Sequence, residues 1–184
     1  MKNILLAGVL AVCIAPSAQA QKFMTRTGKI TFDATTKTSP EKISGKNNEV
    51  ASILDGSNGQ LVFQVLVKNF KFEKQLMEEH FNENYMESDK FPKSDFKGNI
   101  SAPGDVNYGK DGTYNVTVSG KLTIHGVTKD VQVPGSVVVE GSKVKLAAKF
   151  AVKLADYNVT IPSLVADKVA KECSIILDAE LMKK

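Results

Sequence analysis

The chain has 184 residues, a formal charge of +4 and 42% hydrophobic residues, with 24% charged. That length and apolar fraction suit one domain with a sizeable core, and the mild, scattered positive charge gives no reason to invoke nucleic acid or an anionic surface. No apolar run is long enough to cross a bilayer as a helix, so no integral membrane span is expected.

Residues 1–20 read as a secretory signal peptide. Lys2 is a short basic start, Ile4 to Ala15 is apolar but short, and Ala18-Gln19-Ala20 is an A-x-A cleavage site. Cleavage after Ala20 predicts a mature domain over 21–184, in the periplasm or outside the cell. A lipoprotein signal with Cys13 as the lipidated residue fits less well, because Val12 is bulkier than the small residue such processing wants. Without Cys13 the mature chain keeps Cys173 and can form no internal disulfide. Cys173 alternates with Ile175 and Leu177, the pattern of a buried small hydrophobe.

The first strand is expected over Lys29–Ala34, with Ile30 and Phe32 on one face; Arg26 falls in phase with them and is a candidate to point inward at a polar head group. Thr35 to Asn48 is polar, contains Pro40 and Gly45, and reads as loop or short edge elements. Glu49–Leu54 is a second strand and Gly56-Ser57-Asn58-Gly59 a turn. Leu61 to Val67 follows as a strand with Leu61, Phe63, Val65 and Val67 on one face. Val62 and Leu66 on the other suggest that this face is partly covered too. The period then changes. Leu76, Met77, His80, Phe81 and Tyr85 share one side of a helix expected over 73–86, which Pro92 prevents from continuing.

Asp95–Ile100 resumes as a strand. Tyr114–Ile124 places Val116, Val118, Leu122 and Ile124 inward, with Gly120 as a place for a bend or bulge. His125-Gly126 turns the chain into Val127–Val139, where Pro134-Gly135 suggests a bulge or kink. Lys143–Lys153 alternates Val144, Leu146, Ala148, Phe150 and Val152 with a face that is mostly lysine. Asp156 to Asn158 turns, Pro162 to Lys171 has room for a short helical piece, and Cys173–Leu181 is the last strand. About eight strands linked mostly by short turns read as an all-β barrel or sandwich, and the alternation does not separate the two.

Three blocks bear a resemblance to the YceI-like family of secreted bacterial proteins: LMEEHFNENYMESDKFPKSDFKG (Leu76–Gly98), VSGKLTIHGVTKDVQVP (Val118–Pro134) and FAVKLADYNVTIP (Phe150–Pro162) with the closing SIILDAEL. The resemblance spans the whole mature region. It implies an eight-stranded antiparallel, lipocalin-like barrel with one inserted helix near 73–86 and an elongated apolar cavity. It also implies a long-chain lipid or isoprenoid as ligand. The expected cavity wall or cover comprises Phe63, Val65, Val67, Phe96, Leu122, Ile124, Phe150 and Val152 from strands, and Leu76, Met77, His80, Phe81, Tyr85 and Met86 from the helix.

Nothing in the chain points to catalysis. There is no G-x-S-x-G elbow, no phosphate loop and no metal motif, and adjacent Glu78 and Glu79 diverge on a helix. His80 and His125, the two histidines, lack ligand spacing, so no catalytic residue, metal or cofactor is expected. His125 reads as structural, and His80 as a partly buried residue or a donor to a head group. The rival reading is a structural or interaction protein of the envelope whose own side chains fill its interior. A homodimer is left open.

Overall fold

A computed structural model describes residues 21–184; the expected leader, with Cys13 and the cleavage site, lies outside the described residues. Nine strands form one antiparallel sheet: β1 Lys22–Thr35, β2 Ser44–Asp55, β3 Gln60–Leu66, β4 Lys71–Phe72, β5 Lys93–Ile100, β6 Gly112–Ile124, β7 Val127–Glu140, β8 Lys143–Lys153 and β9 Val169–Lys183. The hydrogen-bonded order is β1-β9-β8-β7-β6-β5-β3-β2, and β1 also pairs with β2. The sheet therefore closes into an eight-stranded barrel, in which the β7–β8 ladder is the partial one: it runs from Glu140↔Lys143 to Gly135↔Ala148 and leaves Val127–Pro134 without a partner on β8. The two-residue β4 is an appendage on β2.

Period-2 alternation builds the wall as expected. In β3, Leu61, Phe63 and Val65 are buried. Their neighbours Val62 and Leu66 are 37% and 42% exposed, so the outer face there is not covered. In β8, Val144, Leu146 and Val152 are buried, while outward Lys143 and Lys145 reach Glu180 (3.0 Å) and Glu140 (2.7 Å) across exposed ground. Such exposed pairs contribute little, about 0–1 kcal/mol each.

One end of the barrel is filled. Phe23, Leu54, Val139, Val144 and Leu181, near the turns at 56–59 and 141–142, are at most 2% exposed. The opposite end gathers the β1–β2 loop, the helical insert, the His125-Gly126 turn and the 154–168 connection.

Irregularity falls where alternation does not show it. The register of β1 shifts between Thr25 and Gly28 and again between Gly28 and Ile30. These breaks reset the phase, so Phe23, Gly28 and Ile30 lie on the interior side and Arg26 is exposed rather than pointing at a head group. The β6–β7 ladder runs without a slip from Gly112↔Val139 to Ile124↔Val127, through Gly120 and Pro134-Gly135. Neither site holds a bulge. Gly120 instead faces Gly98 across the β5–β6 pair. A Cβ on either glycine would run into backbone of the facing strand and into the Phe96 ring. Two bare backbones thus make the seat over which Phe96 lies.

Gly120→Val should crowd this seat. Overpacking of this kind costs about 1–3 kcal/mol, read as a lower urea midpoint at unchanged slope; an unchanged midpoint would show that the seat is not tight.

Candidate functional site

The interior is not filled along its length. A cavity of about 580 Å³ runs inside the barrel. Its deep wall is Leu61, Phe63, Ile100, Val137 and Leu146, and its middle is Phe96, Val118, Leu122, Phe150 and Leu177. These are the inward phases of β3, β5, β6, β7, β8 and β9, so the cavity follows directly from closing alternating strands into a ring. Ser94, opposite Val65 in the β3–β5 ladder, adds a hydroxyl to a wall that is otherwise mostly apolar.

The helical insert forms the upper boundary. Gln75–His80 is α-helical (α1), and Phe81–Tyr85 continues it as one π turn in which the Met86 N–H donates to the Phe81 carbonyl at 2.9 Å. π turns frequently mark functional positions in helices. Here the wider turn goes with a half-buried Phe81 packed among three other rings. Its centroid lies 5.2 Å from Phe32, 5.4 Å from Phe70 and 5.0 Å from Phe72. Aromatic pairs at these distances contribute about 0.5–1.5 kcal/mol each beyond area burial. All four rings line the cavity.

A second contact fixes the far end of the insert. His125 and Gly126 both have positive φ, +49° and +73°, as a two-residue hairpin turn of the mirror-image type requires. The turn buries the His125 ring. Its Nε2 lies 2.8 Å from a Glu87 carboxylate oxygen, its Nδ1 lies 3.2 Å from the Tyr157 carbonyl, and Phe91 packs edge-on at 4.5 Å. One imidazole thus ties the end of the insert, the β6–β7 turn and the segment after β8. His125 is structural, as its place in the turn suggested.

The cavity reaches solvent between three elements: the β1–β2 loop at Ser39–Ile43, the start of the insert at Lys74–His80, and Val165–Val169 before β9. Leu76 lines the cavity and is still 60% exposed, which locates the rim. His80 lies on this rim, exposed rather than partly buried. Lys74, ion-paired with Glu41, and Lys168 are the cationic rim residues.

The expected wall and cover residues therefore come together, with one exception. Phe63, Val65, Leu76, Met77, His80, Phe81, Tyr85, Met86, Phe96, Leu122, Ile124, Phe150 and Val152 all border the cavity. Val67 does not. β3 ends at Leu66, residues Val67–Asn69 make a 3-10 turn, and the Val67 N–H donates to the Pro92 carbonyl at 3.0 Å. That turn rotates Val67 into a small cluster with Met86, Val152, Tyr157 and Val159, where it is fully buried. Sequence reasoning missed Phe70, Phe72 and the rim residues of the two loops. The aromatic i, i+2 pair at 70 and 72 was the available signal. The loops carry no periodicity.

Cys173 also lines the cavity, and burial pushes its thiol up to about 11. Among the described residues no three His, Cys, Asp or Glu side chains converge as a metal site, and no helix is long and apolar enough to cross a membrane.

A family model described as YceI-like domain matches residues 19–181. No curated protein sequence matches the chain. Among solved structures, a polyisoprenoid binding domain from Saccharophagus degradans superposes with a TM-score of 0.74 at 12% identity, covering 90% of this chain and all of that one. Burkholderia cenocepacia BcnA gives 0.62 at 19% identity, over 84% of this chain and 95% of that one. The Campylobacter jejuni YCEI protein gives 0.59 at 14%, over 81% and 89%. At these identities the likeness is one of fold.

Two outcomes test the geometry. His125→Asn keeps a residue type that tolerates positive φ but is too short to bridge Glu87 and Tyr157. It should speed amide exchange in 76–91 and leave the β8–β9 ladder protected; uniform exchange across both would show that His125 does not act on the insert. Cys173 should resist iodoacetamide at pH 8 in the folded protein and react fully in urea, because only the thiolate is nucleophilic. Equal labelling rates would contradict its burial.

Proposed function

Since the chain belongs to the YceI-like domain family, we propose that it is a non-enzymatic carrier that holds an isoprenoid or other long-chain amphiphile in its barrel. The observation that carries this reading is the cavity itself: it is enclosed by apolar strand faces and opens at a rim with polar groups. Apolar burial is worth roughly 25 cal/mol per Å², so a long chain binds such a wall tightly without a specific polar contact. A head group would stay near His80, Lys74 and Lys168 at the rim. The solved polyisoprenoid binding domain with the same fold agrees with this ligand class.

The location that fits is the periplasm or the outside of the cell, after removal of residues 1–20. The buried imidazole of His125 is committed to holding loops. Holding and release, not turnover, is the activity proposed.

Displacement of a fluorescent fatty probe by farnesol tests this. The wild type should bind with a dissociation constant in the micromolar range or below. Phe150→Asp places a carboxylate in the middle of the cavity and should abolish binding. Because Phe150→Asp also threatens the fold, Met77→Asp at the half-buried cover provides the second variant; it should weaken binding at least about tenfold (~1.4 kcal/mol) with little loss of stability. Probe binding that ignores both changes would place the ligand elsewhere on the surface.

A further inference from the structure

Seven large apolar side chains stand exposed among the described residues. Five of them, Ile53, Val62, Leu66, Ile176 and Met182, are 37–48% exposed and lie on the outer faces of strands. The other two are more exposed, Leu76 at 60% and Leu164 at 87%, and neither is on a strand. Both stand at the mouth of the cavity. Leu76 is in the first turn of α1 and borders the cavity. Leu164 is in the 3-10 turn Ser163–Val165, whose last residue borders the cavity while Leu164 itself does not. Single exposed leucines are ordinary on a protein surface; here the two most exposed flank one opening from separate segments.

The segments that carry them are held in place. The Val165 N–H donates to the Pro162 carbonyl at 3.1 Å, and the Lys168 N–H donates to the Val165 carbonyl at 3.0 Å. Thr36 and Thr38 of the β1–β2 loop both donate from Oγ1 to the Asp167 carbonyl, at 2.8 and 2.7 Å. Lys74 at the start of the insert pairs with Glu41 of the same loop. The three segments around the mouth are thus tied into one face. Leu164 contributes almost no packing to it, yet an ordered turn keeps its side chain in water. Charge on the face nearly cancels: Lys42, Lys74 and Lys168 stand against Glu41, Glu78, Glu79 and Asp167.

We propose that this face docks on a net-neutral lipid surface, with Leu76 and Leu164 entering the boundary between head groups and acyl chains, so that ligand passes between cavity and membrane without crossing water. This inference rests on the carrier reading above. A long-chain amphiphile dissolves in membranes and hardly at all in water, so the mouth is where cavity and membrane have to meet. Apolar side chains that protrude from a polar surface partition into that boundary, and burying a leucine is favourable without any specific partner. The shape of the face argues against a protein partner. A stable protein interface buries about 800 Å² on each side, whereas the exposed leucines here sit on separate crests around a hole. The balance of charge selects the lipid. Anionic head groups attract clusters of lysine, and this face has no lysine in surplus; a zwitterionic surface requires none. Contact through two leucines is weak and brief, which suits a carrier that has to leave again.

The test measures transfer. Protein loaded with a fluorescent fatty probe is mixed with phosphatidylcholine vesicles that carry a quencher. Transfer should proceed at a rate proportional to vesicle concentration, equal at low and high salt, and not raised by adding phosphatidylglycerol. Leu164→Ser removes one contact without touching the cavity wall. It should slow transfer at least about fivefold and leave farnesol affinity and the urea midpoint unchanged. A rate independent of vesicle concentration would show that ligand leaves through water and would overturn the docking face, as would a Leu164→Ser protein that transfers at the wild-type rate. Acceleration by phosphatidylglycerol that salt abolishes would assign docking to charge and overturn it too. A wild-type dimer that Leu164→Ser dissolves would seat a second copy on the face in place of lipid. In each of these cases the carrier reading stands, whereas a protein that takes up neither probe nor farnesol removes both.

Discussion

The structure depends on one act of closure. β1 bonds to β9 along one edge and to β2 along the other. Once the ring is shut, every strand of the wall has a hydrogen-bonded neighbour on each side for at least part of its length, and inward side chains need not meet in the middle. In an open sheet or a sandwich the apolar faces must pack against a second layer to leave water. In this ring they face one another across a space that the fold does not oblige them to fill. Density is concentrated instead at one end, around Phe23, Leu54, Val139 and Leu181, where solid packing holds the staves together. The cavity lies above that plug.

An empty apolar cavity is not neutral. Its lining forgoes dispersion contacts on one side, and water gains little there because few polar groups are available to hold it. A long apolar guest restores contacts on all sides, and this links the architecture to the proposed ligand class. The insert from Gln75 to Tyr85 is held by two unlike contacts, a cluster of four phenylalanine rings and one imidazole bridging three segments. The first is non-directional and tolerant of small shifts; the second is directional and local. Together they keep the cover in place without closing the rim at Leu76 and His80.

Much of this was legible in the residues. Lys143–Lys153 announces its inner and outer faces because a half-exposed strand must alternate. The helical period over 73–86 stands out because it breaks that rule. The choice of barrel over sandwich was not in the alternation; it came from the resemblance carried by the 76–98, 118–134 and 150–162 blocks. The misses have physical causes. Arg26 was placed by extending the phase of Ile30 back along β1, and two register shifts intervene. Val67 was placed by extending β3, but the chain turns after Leu66 toward the Pro92 carbonyl. In the linear sequence Gly120 is a place for a bend or bulge, whereas its lack of a side chain serves the facing Gly98 and the Phe96 ring, a partnership across strands that a linear reading does not contain. The parting of β7 from β8 is non-local in the same way.

The most direct measurement of the central claim is native mass spectrometry of the protein recovered without detergent from the cells that make it, followed by solvent extraction. A one-to-one adduct of discrete mass, released by organic solvent and identified as a long-chain amphiphile, is the result this account predicts. A bare polypeptide mass in repeated gentle preparations, with no extractable lipid, would contradict it and return the interior to a purely structural role.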